Sequence, residues 1–313
     1  MATDQLAPRE ELLSGPTPVQ EMWRLRTVLG GGPRLLVKRD DAIPFGFGGN
    51  KVRKLEFVLP EALAANADTL VTLGGLQSNH ARATAAAAAK LGLRCVLIIN
   101  GARQERPSGN ALLDGLLGAE VEYIASRAER GAAIGRVMAR LHSEGRKPFM
   151  IPLGASTPTG ALGFAVAIDE MIAQGVRPDV IVHAGSSGGT QAGLLAGVTR
   201  NGLSTRVIAV SADDPASSVV SAVRNIVQAI PGCASFDGEI VVDDTMVGEG
   251  YGIPTGASRE AQELLARSEA LFVDHTYTAK AAAALIAYAR DGRFSSDETV
   301  LFWHTGGQVG LFA

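Results

Sequence analysis

Gly48-Gly49-Asn50-Lys51 places a primary amine directly behind a glycine turn. Two glycines let the backbone turn tightly, Asn50 can cap the helix that follows, and Lys51 falls in its first turn. Val52, Leu55, Phe57, Val58 and Leu59 give that helix an apolar set that ties it to a core. An amine at a helix N-terminus feels the positive end of the dipole, which disfavours its charged form. A partly neutral amine is what condensation with an aldehyde requires. Position alone favours an ordinary surface lysine.

Leu73-Gly74-Gly75-Leu76-Gln77-Ser78-Asn79-His80 follows one apolar run and opens an Ala-rich helix. Polar residues at a strand's carboxyl end lie where ligands bind in open α/β sheets. Ser78 can act as nucleophile or proton carrier and Asn79 can donate to a ligand oxygen; either can also simply cap the helix. His80 has no metal partner at helical spacing and reads as structural. Ala184-Gly185-Ser186-Ser187-Gly188-Gly189-Thr190-Gln191 repeats the arrangement. Its successive N–H groups at a helix start suit a phosphate, but neither the P-loop lysine nor the GxGxxG spacing is there. A phosphate-bearing cofactor without a nucleotide follows. Gly185–Gly189 also fits the G-x-S-x-G elbow of a serine hydrolase, with Ser187 as nucleophile and Asp274 and His304 later in the chain.

Two tyrosines lie toward the C-terminus, Tyr251 between glycines and Tyr277 in Asp274-His275-Thr276-Tyr277-Thr278. Glycine neighbours give Tyr251 little local packing reason to be there, which favours binding; Tyr277 is as well explained as a core residue. Thr305, in Phe302-Trp303-His304-Thr305-Gly306-Gly307, falls at the end of a last strand.

These residues need a scaffold that brings strand ends together. Apolar runs at Thr69–Leu73, Cys95–Ile99, Val121–Ile124, Phe149–Ile151, Val180–His183, Val207–Val210, Ile240–Val242 and Val300–Trp303 read as strands. Helical patterns lie between them at Ala81–Lys90, Ala111–Leu117, Ala132–Leu141, Leu162–Ile172, Gln191–Thr199 and Glu260–Arg267. Such alternation means βαβ units and mostly parallel sheet with both faces covered. Gly154–Gly160 and Pro33–Gly49 are the candidate crossings between two lobes, with the cleft between them.

The 313 residues are 46% apolar and 19% charged with a net charge of −3, which gives no reason to expect nucleic acid or an anionic membrane as partner. Cys95 and Cys233 are too far apart for a CxxC site, and no metal is expected. Met1–Gly15 has no basic start or apolar core, and no apolar stretch suits a bilayer, so a cytoplasmic address is expected.

In this order the motifs resemble the 1-aminocyclopropane-1-carboxylate deaminase/D-cysteine desulfhydrase family of pyridoxal-phosphate enzymes. The resemblance runs through Val37–Asp41, Gly48–Glu56, Gln77–His80, Gly188–Thr190, Gly250–Gly252, Tyr277 and His304–Gly307, nearly the whole chain. It implies the tryptophan-synthase-β-like fold (fold type II), two open, mostly parallel α/β lobes. The large lobe is expected at 1–45 and 157–313, and the small lobe, with Lys51 and Ser78, at 46–156. It implies pyridoxal 5′-phosphate joined to Lys51, which then moves the substrate's α-proton. Asn79 would hold the ring hydroxyl, Ser187, Gly188, Gly189 and Thr190 the phosphate, and Thr305 would face the pyridine nitrogen. Gln77, Ser78, Asn79, His80, Tyr251 and Tyr277 would surround the substrate, its carboxylate at Ser78-Asn79-His80. Catalytic roles would fall to Lys51, Ser78, Tyr251 and Tyr277, and a homodimer is implied.

Deaminases of the family carry Glu after the second tyrosine and Leu at the Thr305 position; Thr278 and Thr305 follow the desulfhydrase pattern. A neutral hydroxyl at the pyridine nitrogen leaves a weaker electron sink than a carboxylate, enough to expel a thiolate. The expected reaction is β-elimination, D-cysteine giving pyruvate, ammonia and hydrogen sulfide, with Tyr277 as acid for the leaving group or as a steric wall. Gln191, Glu249 and Gly306–Gly310 depart from the desulfhydrase pattern. These departures leave cysteate, the cyclopropane amino acid and either Cα configuration open.

Overall fold

The computed structural model describes residues 7–313; residues 1–6, part of the expected large lobe, lie outside the described residues. In chain order the elements are β1 (Val19–Glu21), α1 (Trp23–Val28), β2 (Arg34–Arg39), α2 (Asn50–Ala64), β3 (Thr69–Gly75), α3 (Asn79–Leu91) and β4 (Arg94–Asn100). They continue with α4 (Gly109–Leu116), β5 (Glu120–Ile124), α5 (Arg130–Ser143), β6 (Pro148–Met150), α6 (Pro158–Ala173), β7 (Val180–Gly185) and α7 (Gly189–Arg200). Then follow β8 (Arg206–Ser211), α8 (Ala216–Gln228), β9 (Val241–Asp243), α9 (Gly256–Glu269), α10 (Thr278–Arg290) and β10 (Thr299–His304).

The strands form two sheets. The six-stranded sheet has the order β1-β2-β10-β7-β8-β9, parallel except for the β1–β2 pair, and the four-stranded sheet, β5-β4-β3-β6, is parallel throughout. Period-two alternation sends side chains of one strand into two cores. Ile181, Leu301 and Trp303 pack with α6, α7 and α8 on one face, while Val180, Val182, Val300 and Phe302 pack with α9 and α10 on the other. In the smaller sheet Leu70, Cys95 and Leu97 face α2 and α3, and Val71, Val96 and Ile98 face α5. Both faces of both sheets are thus covered, and every expected strand is present.

The strand β2 was hidden in Pro33–Gly49, which reads from sequence as a crossing. Its Lys38 disguised it: a lysine in a central strand breaks the apolar pattern, and here it is fully buried. Lys38 is tolerated because its ammonium donates to Glu170 Oε1 (2.5 Å), Gln174 Oε1 (2.7 Å) and the Thr17 carbonyl (2.7 Å). The helices α8 and α10 were also unforeseen, α10 because its alanines carry no amphipathic contrast.

The same Glu170 fastens α2. Arg53 of α2, 3% exposed, donates to Asp40 through Nε (2.9 Å) and Nη2 (2.8 Å) and to Glu170 Oε2 through Nη1 (2.8 Å). Trp303 Nε1 of β10 donates to the remaining side of Asp40 at 2.8 Å. Backbone contact completes the docking: a Cβ on Gly163 of α6 would come within 2.1 Å of the Arg53 carbonyl oxygen, so only glycine admits this approach. Burial pushes the Glu170 carboxyl up, but hydrogen bonds and charge from Arg53 and Lys38 outweigh it and hold the group at about 2. A carboxylate whose folded pKa is depressed stabilises the fold above its ordinary 4.5, and that contribution fades as pH falls toward 2. Replacing Arg53 with Met leaves Asp40 without its cation and Glu170 with Lys38 alone, and should cost about 3–5 kcal/mol at neutral pH. Thermal melts should show the gap between wild type and variant narrowing from pH 4.5 to pH 2; a gap independent of pH would refute the assignment.

Candidate active site

The carboxyl ends of β3, β7 and β10 open on one cleft, where the chain turns into α3 after β3 and into α7 after β7. Lys51, Ser78, Asn79, His80, Ser187, Gly188, Thr190, Tyr251, Tyr277 and Thr305 all line it. The cleft lies between the two sheets, and the chain crosses from one sheet to the other between β6 and β7, through Gly154–Gly160.

Lys51 enters from the first turn of α2. The helix is not capped by Asn50, as the sequence suggested: Gly49, at φ +95°, occupies the cap position. The Asn50 backbone N–H donates to the Thr305 carbonyl at 3.0 Å, which frees the side-chain amide for work in the cleft. Asn50 Nδ2 donates to Thr190 Oγ1 (3.0 Å) and its Oδ1 accepts from Lys51 Nζ (3.0 Å). Burial, then the Arg82 charge, lower the Lys51 amine to about 8 against a weaker pull from Asp274. Desolvation therefore does most of what the sequence reading gave to the helix dipole.

Ser78 both caps α3, accepting from the Ala81 N–H at 3.2 Å, and faces the cleft. Gln77 does not. Its Nε2 donates to the Ser108 carbonyl (3.1 Å) and its Oε1 accepts from the Asn110 N–H (2.7 Å), which turns the side chain away toward the start of α4. Asn110, fully buried, donates through Nδ2 to Asn79 Oδ1 (2.9 Å) and to the Gln77 carbonyl (2.9 Å). Its Oδ1 accepts from Arg82 Nε (2.8 Å), and Arg82 Nη2 reaches the Gly48 carbonyl (3.2 Å). With its oxygen engaged, Asn79 keeps its amino group for another partner. His80 is held neutral by burial and bonds Thr72 Oγ1 through Nε2 (2.8 Å), a structural place.

Across the cleft, the hydroxyls of Tyr251 and Tyr277 are 2.6 Å apart, their rings edge to face at 5.7 Å between centroids. Burial raises both pKa values, Tyr277 the more, so both stay protonated at neutral pH. Asp274 fixes the Tyr277 loop by accepting from the N–H groups of Thr276, Tyr277 and Thr278 at 2.9–3.0 Å. Buried Lys280 fixes the Tyr251 loop by donating to the carbonyls of Ala212, Val247 and Gly250.

The third corner is the turn into α7. Gly189 does not line the cleft; it packs on the 153–157 segment, where a Cβ would come within 2.9 Å of the Ser156 Cα. Ser156 Oγ lies 2.7 Å from Ser187 Oγ and 3.1 Å from Lys54 Nζ. Lys54, 1% exposed, meets no carboxylate among the described residues; burial and then the Lys51 charge push its amine well down. Lys54 and Ser156 were missed in the sequence, though Lys54 stands three residues after Lys51 and so on the same helical face. The hydrolase triad is not assembled. Ser187 bonds Ser156, His304 is bonded to the Phe272 carbonyl (3.0 Å) and the Gly306 N–H (3.3 Å), and Asp274 serves the Tyr277 loop. Gln191, one of the departures from the desulfhydrase pattern, ties α7 to β9 by donating to the Val241 carbonyl at 2.7 Å.

A desolvated lysine in a cleft between two parallel α/β lobes, facing helix N-termini, defines the site of a fold-type-II pyridoxal-phosphate enzyme. The chain belongs to the pyridoxal-phosphate dependent enzyme family, whose model matches residues 11–306. It is 38% identical to the D-cysteine desulfhydrases of Salmonella choleraesuis (strain SC-B67) and Salmonella paratyphi C (strain RKS4594), over 98% of this chain and 96% of each relative. Among solved structures, one titled an ACC deaminase homologue is 34% identical, with a TM-score of 0.90 over 98% of this chain and 94% of that one. A pyridoxal 5′-phosphate-dependent aspartate racemase, at 17% identity and TM-score 0.68 over 93% and 90% of the two chains, shares the fold.

The residues fit the cofactor. Lys54 is a buried amine with no counter-charge beside the first turn of α7, whose N–H groups lack helical partners, so a phosphate would satisfy both. Two outcomes follow. In cofactor-free protein, reductive methylation of Lys51 should be half-maximal near pH 8, where its neutral fraction rises, rather than near its ordinary 10.5; peptide mapping by mass spectrometry checks this. Replacing Asn110 with Ala strands Asn79 Oδ1 and Arg82 Nε, costs about 1–3 kcal/mol in denaturant unfolding, and leaves the Asn79 amide free to rotate. An unchanged unfolding midpoint would show that water replaces Asn110.

Proposed function

We propose that this enzyme catalyses β-elimination from a small β-substituted amino acid, with D-cysteine giving pyruvate, ammonia and hydrogen sulfide. One observation carries the reading. The Lys51 amine, poised near neutrality, shares a cleft with the start of α3 and with a pair of protonated tyrosines. Pyridoxal phosphate, when bound, supplies an aldehyde for an amine and a ring that accepts the electron pair left at Cα.

Lys51 would hold the cofactor and, once displaced by the substrate amine, carry the Cα proton. Lys54, Ser187, Gly188 and Thr190 would hold the phosphate, with Ser156 and Gly189 packed behind them as support, Asn79 the ring hydroxyl through its free amino group, and Thr305 the ring nitrogen. The N–H groups of Asn79 and His80, in the first turn of α3, would receive the substrate carboxylate, with Ser78 beside it. Gln77 is left as support for that turn. Tyr277, kept protonated by burial, would give a proton to the departing thiolate and recover one from solvent by way of Tyr251 through their shared hydrogen bond. A homodimeric, cytoplasmic enzyme belongs to the same proposal; among the described residues no helix is long and apolar enough to cross a membrane.

Loaded enzyme should release pyruvate from D-cysteine, and Lys51→Ala should lose both this activity and the absorption band of the covalently held cofactor. An intact band in that variant would sink the reading, as would a panel in which D-cysteine, L-cysteine, L-cysteate and β-chloro-D-alanine release no pyruvate, whether or not the cyclopropane amino acid gives α-ketobutyrate. Tyr277→Phe should lower kcat on D-cysteine by roughly 100-fold. On β-chloro-D-alanine, whose chloride leaves without a proton, it should change kcat far less; equal losses would make Tyr277 a wall instead of an acid.

A further inference from the structure

Lys280 stands in the first turn of α10, three residues after Tyr277 and so on the same side of the helix. A helix start disfavours a cation, so helix stability does not explain a lysine there. The side chain is fully buried and meets no carboxylate at ion-pair distance among the described residues; Asp213 and Asp274 act on it from farther off. Its Nζ donates to three carbonyls, those of Val247 (2.8 Å), Gly250 (2.9 Å) and Ala212 (3.0 Å). Three acceptors need three N–H groups, which only the ammonium form has; a neutral amine would turn its lone pair on one of them. Two of the gripped peptide units are those directly before Tyr251 and directly before Asp213. Gly248, Gly250 and Gly252 all have positive φ, so the Tyr251 loop has little conformational preference of its own. From the other side of the cleft Arg127, between β5 and α5, pairs with Asp213 at 2.6 Å and lies over the Tyr251 ring at 5.3 Å. One ammonium thus fixes both segments that Arg127 touches.

We infer that Lys280 is the positioning residue for the Tyr251–Tyr277 pair: one turn of α10 carries both Tyr277 and the ammonium that grips the peptide before Tyr251. This rests on the β-elimination reading, in which Tyr277 protonates the departing thiolate. The Cβ–S electron pair leaves on sulfur, which takes the Tyr277 hydroxyl proton; Tyr277 recovers a proton from Tyr251, and Tyr251 one from solvent. Such a relay needs the two hydroxyls, 2.6 Å apart, to stay aligned, because a hydrogen bond weakens steeply when it is bent. Tyr277 is placed by its own helix start, where Asp274 accepts the N–H groups of the turn. Tyr251 comes from a separate, glycine-rich segment that α10 would not otherwise hold by charge or backbone. Lys280 makes that segment one body with α10, so the acid and the group that reloads it keep one geometry. The same grip presents Asp213 to Arg127, which fastens the opposite wall of the cleft to this body.

The test compares wild type with Lys280→Met and Lys280→Gln, all loaded with cofactor; methionine loses every donor and glutamine keeps two. In Lys280→Met, kcat on D-cysteine should fall by about 30-fold, while kcat on β-chloro-D-alanine, whose chloride leaves without a proton, stays within about threefold. Lys280→Gln should lie between, and it carries the comparison if Lys280→Met does not fold. The dissociation constant for alanine, read from the shift of the cofactor absorption band, should not change, because Lys280 does not hold the start of α3. Added to Tyr277→Phe, Lys280→Met should cost D-cysteine turnover nothing further, whereas a lysine that merely stabilised the fold would subtract again. Hydrogen exchange reads the loops without turnover: amides of 211–214 and 246–252 should exchange at least about tenfold faster in Lys280→Met, with the rest of α10 unchanged. Unchanged exchange in these loops would overturn the inference, as would equal losses on the two substrates where Tyr277→Phe tells them apart. If Tyr277→Phe also loses equally on both, the acid reading falls, and the loop exchange alone decides whether Lys280 places the pair.

Discussion

The buried clasp of Arg53 on Asp40 and Glu170 decides where the reactive amine can be. The helix α2 serves two masters. Val52, Leu55, Val58 and Leu59 pack with the core of the four-stranded sheet, while Arg53 ties the same helix to β2, β10 and α6 of the six-stranded one. Lys51 and Lys54, on either side of Arg53 in sequence, then point into the seam between the sheets. Apolar packing alone fixes a helix's face but leaves its rotation and slide loosely defined. A guanidinium bonded to two carboxylates in a dry interior adds direction, because a small shift strands three charges at once.

Positioning and activation have a common cause here. The interior that makes Arg53 depend on its carboxylates also desolvates Lys51 and Lys54, and neither has a carboxylate bonded to it. Their cationic forms are disfavoured until an anion arrives. Arg82 adds to this by acting on Lys51 from the opposite side, and it too meets no carboxylate at ion-pair distance among the described residues. The helix starts at α3 and α7 point their partial positive charge at the same space. A cleft walled in this way is complementary to phosphate and carboxylate groups, and of the two carboxylates that line it, Asp213 and Asp214, the first is occupied with Arg127.

The sequence displayed most of this frame because parallel strands are apolar on both faces, and their runs stand out without help from neighbours. It also displayed the turns at Lys51, Ser78 and Ser187, since glycines and polar residues after such runs have few other uses. What stayed hidden was decided by partners distant in the chain. Lys38 looks incompatible with a central strand until Glu170, far along in α6, is beside it. Asn50 looks like a cap until Gly49 adopts a positive φ and Thr305 claims the backbone N–H. Gln77 belongs to the specific block around Ser78, yet Ser108 and Asn110 turn it outward.

The two most specific blocks, Gly48–Glu56 and Gln77–His80, are one unit in space. Asn110 holds Asn79 and the Gln77 backbone with its amide nitrogen and receives Arg82 with its oxygen; Arg82 reaches the Gly48 carbonyl in the turn before Lys51. A displacement of the α3 turn is therefore felt at the α2 turn through two side chains with few alternative partners, since both are buried. Such a network is costly when incomplete and stiff when complete. That stiffness matters for proton transfer at Cα, where the amine and the group that receives the substrate carboxylate must keep one geometry through the reaction. On the proposed roles the amine would come from one helix start and the carboxylate site from another. Asn110, which does not itself line the cleft, ties those two helix starts together.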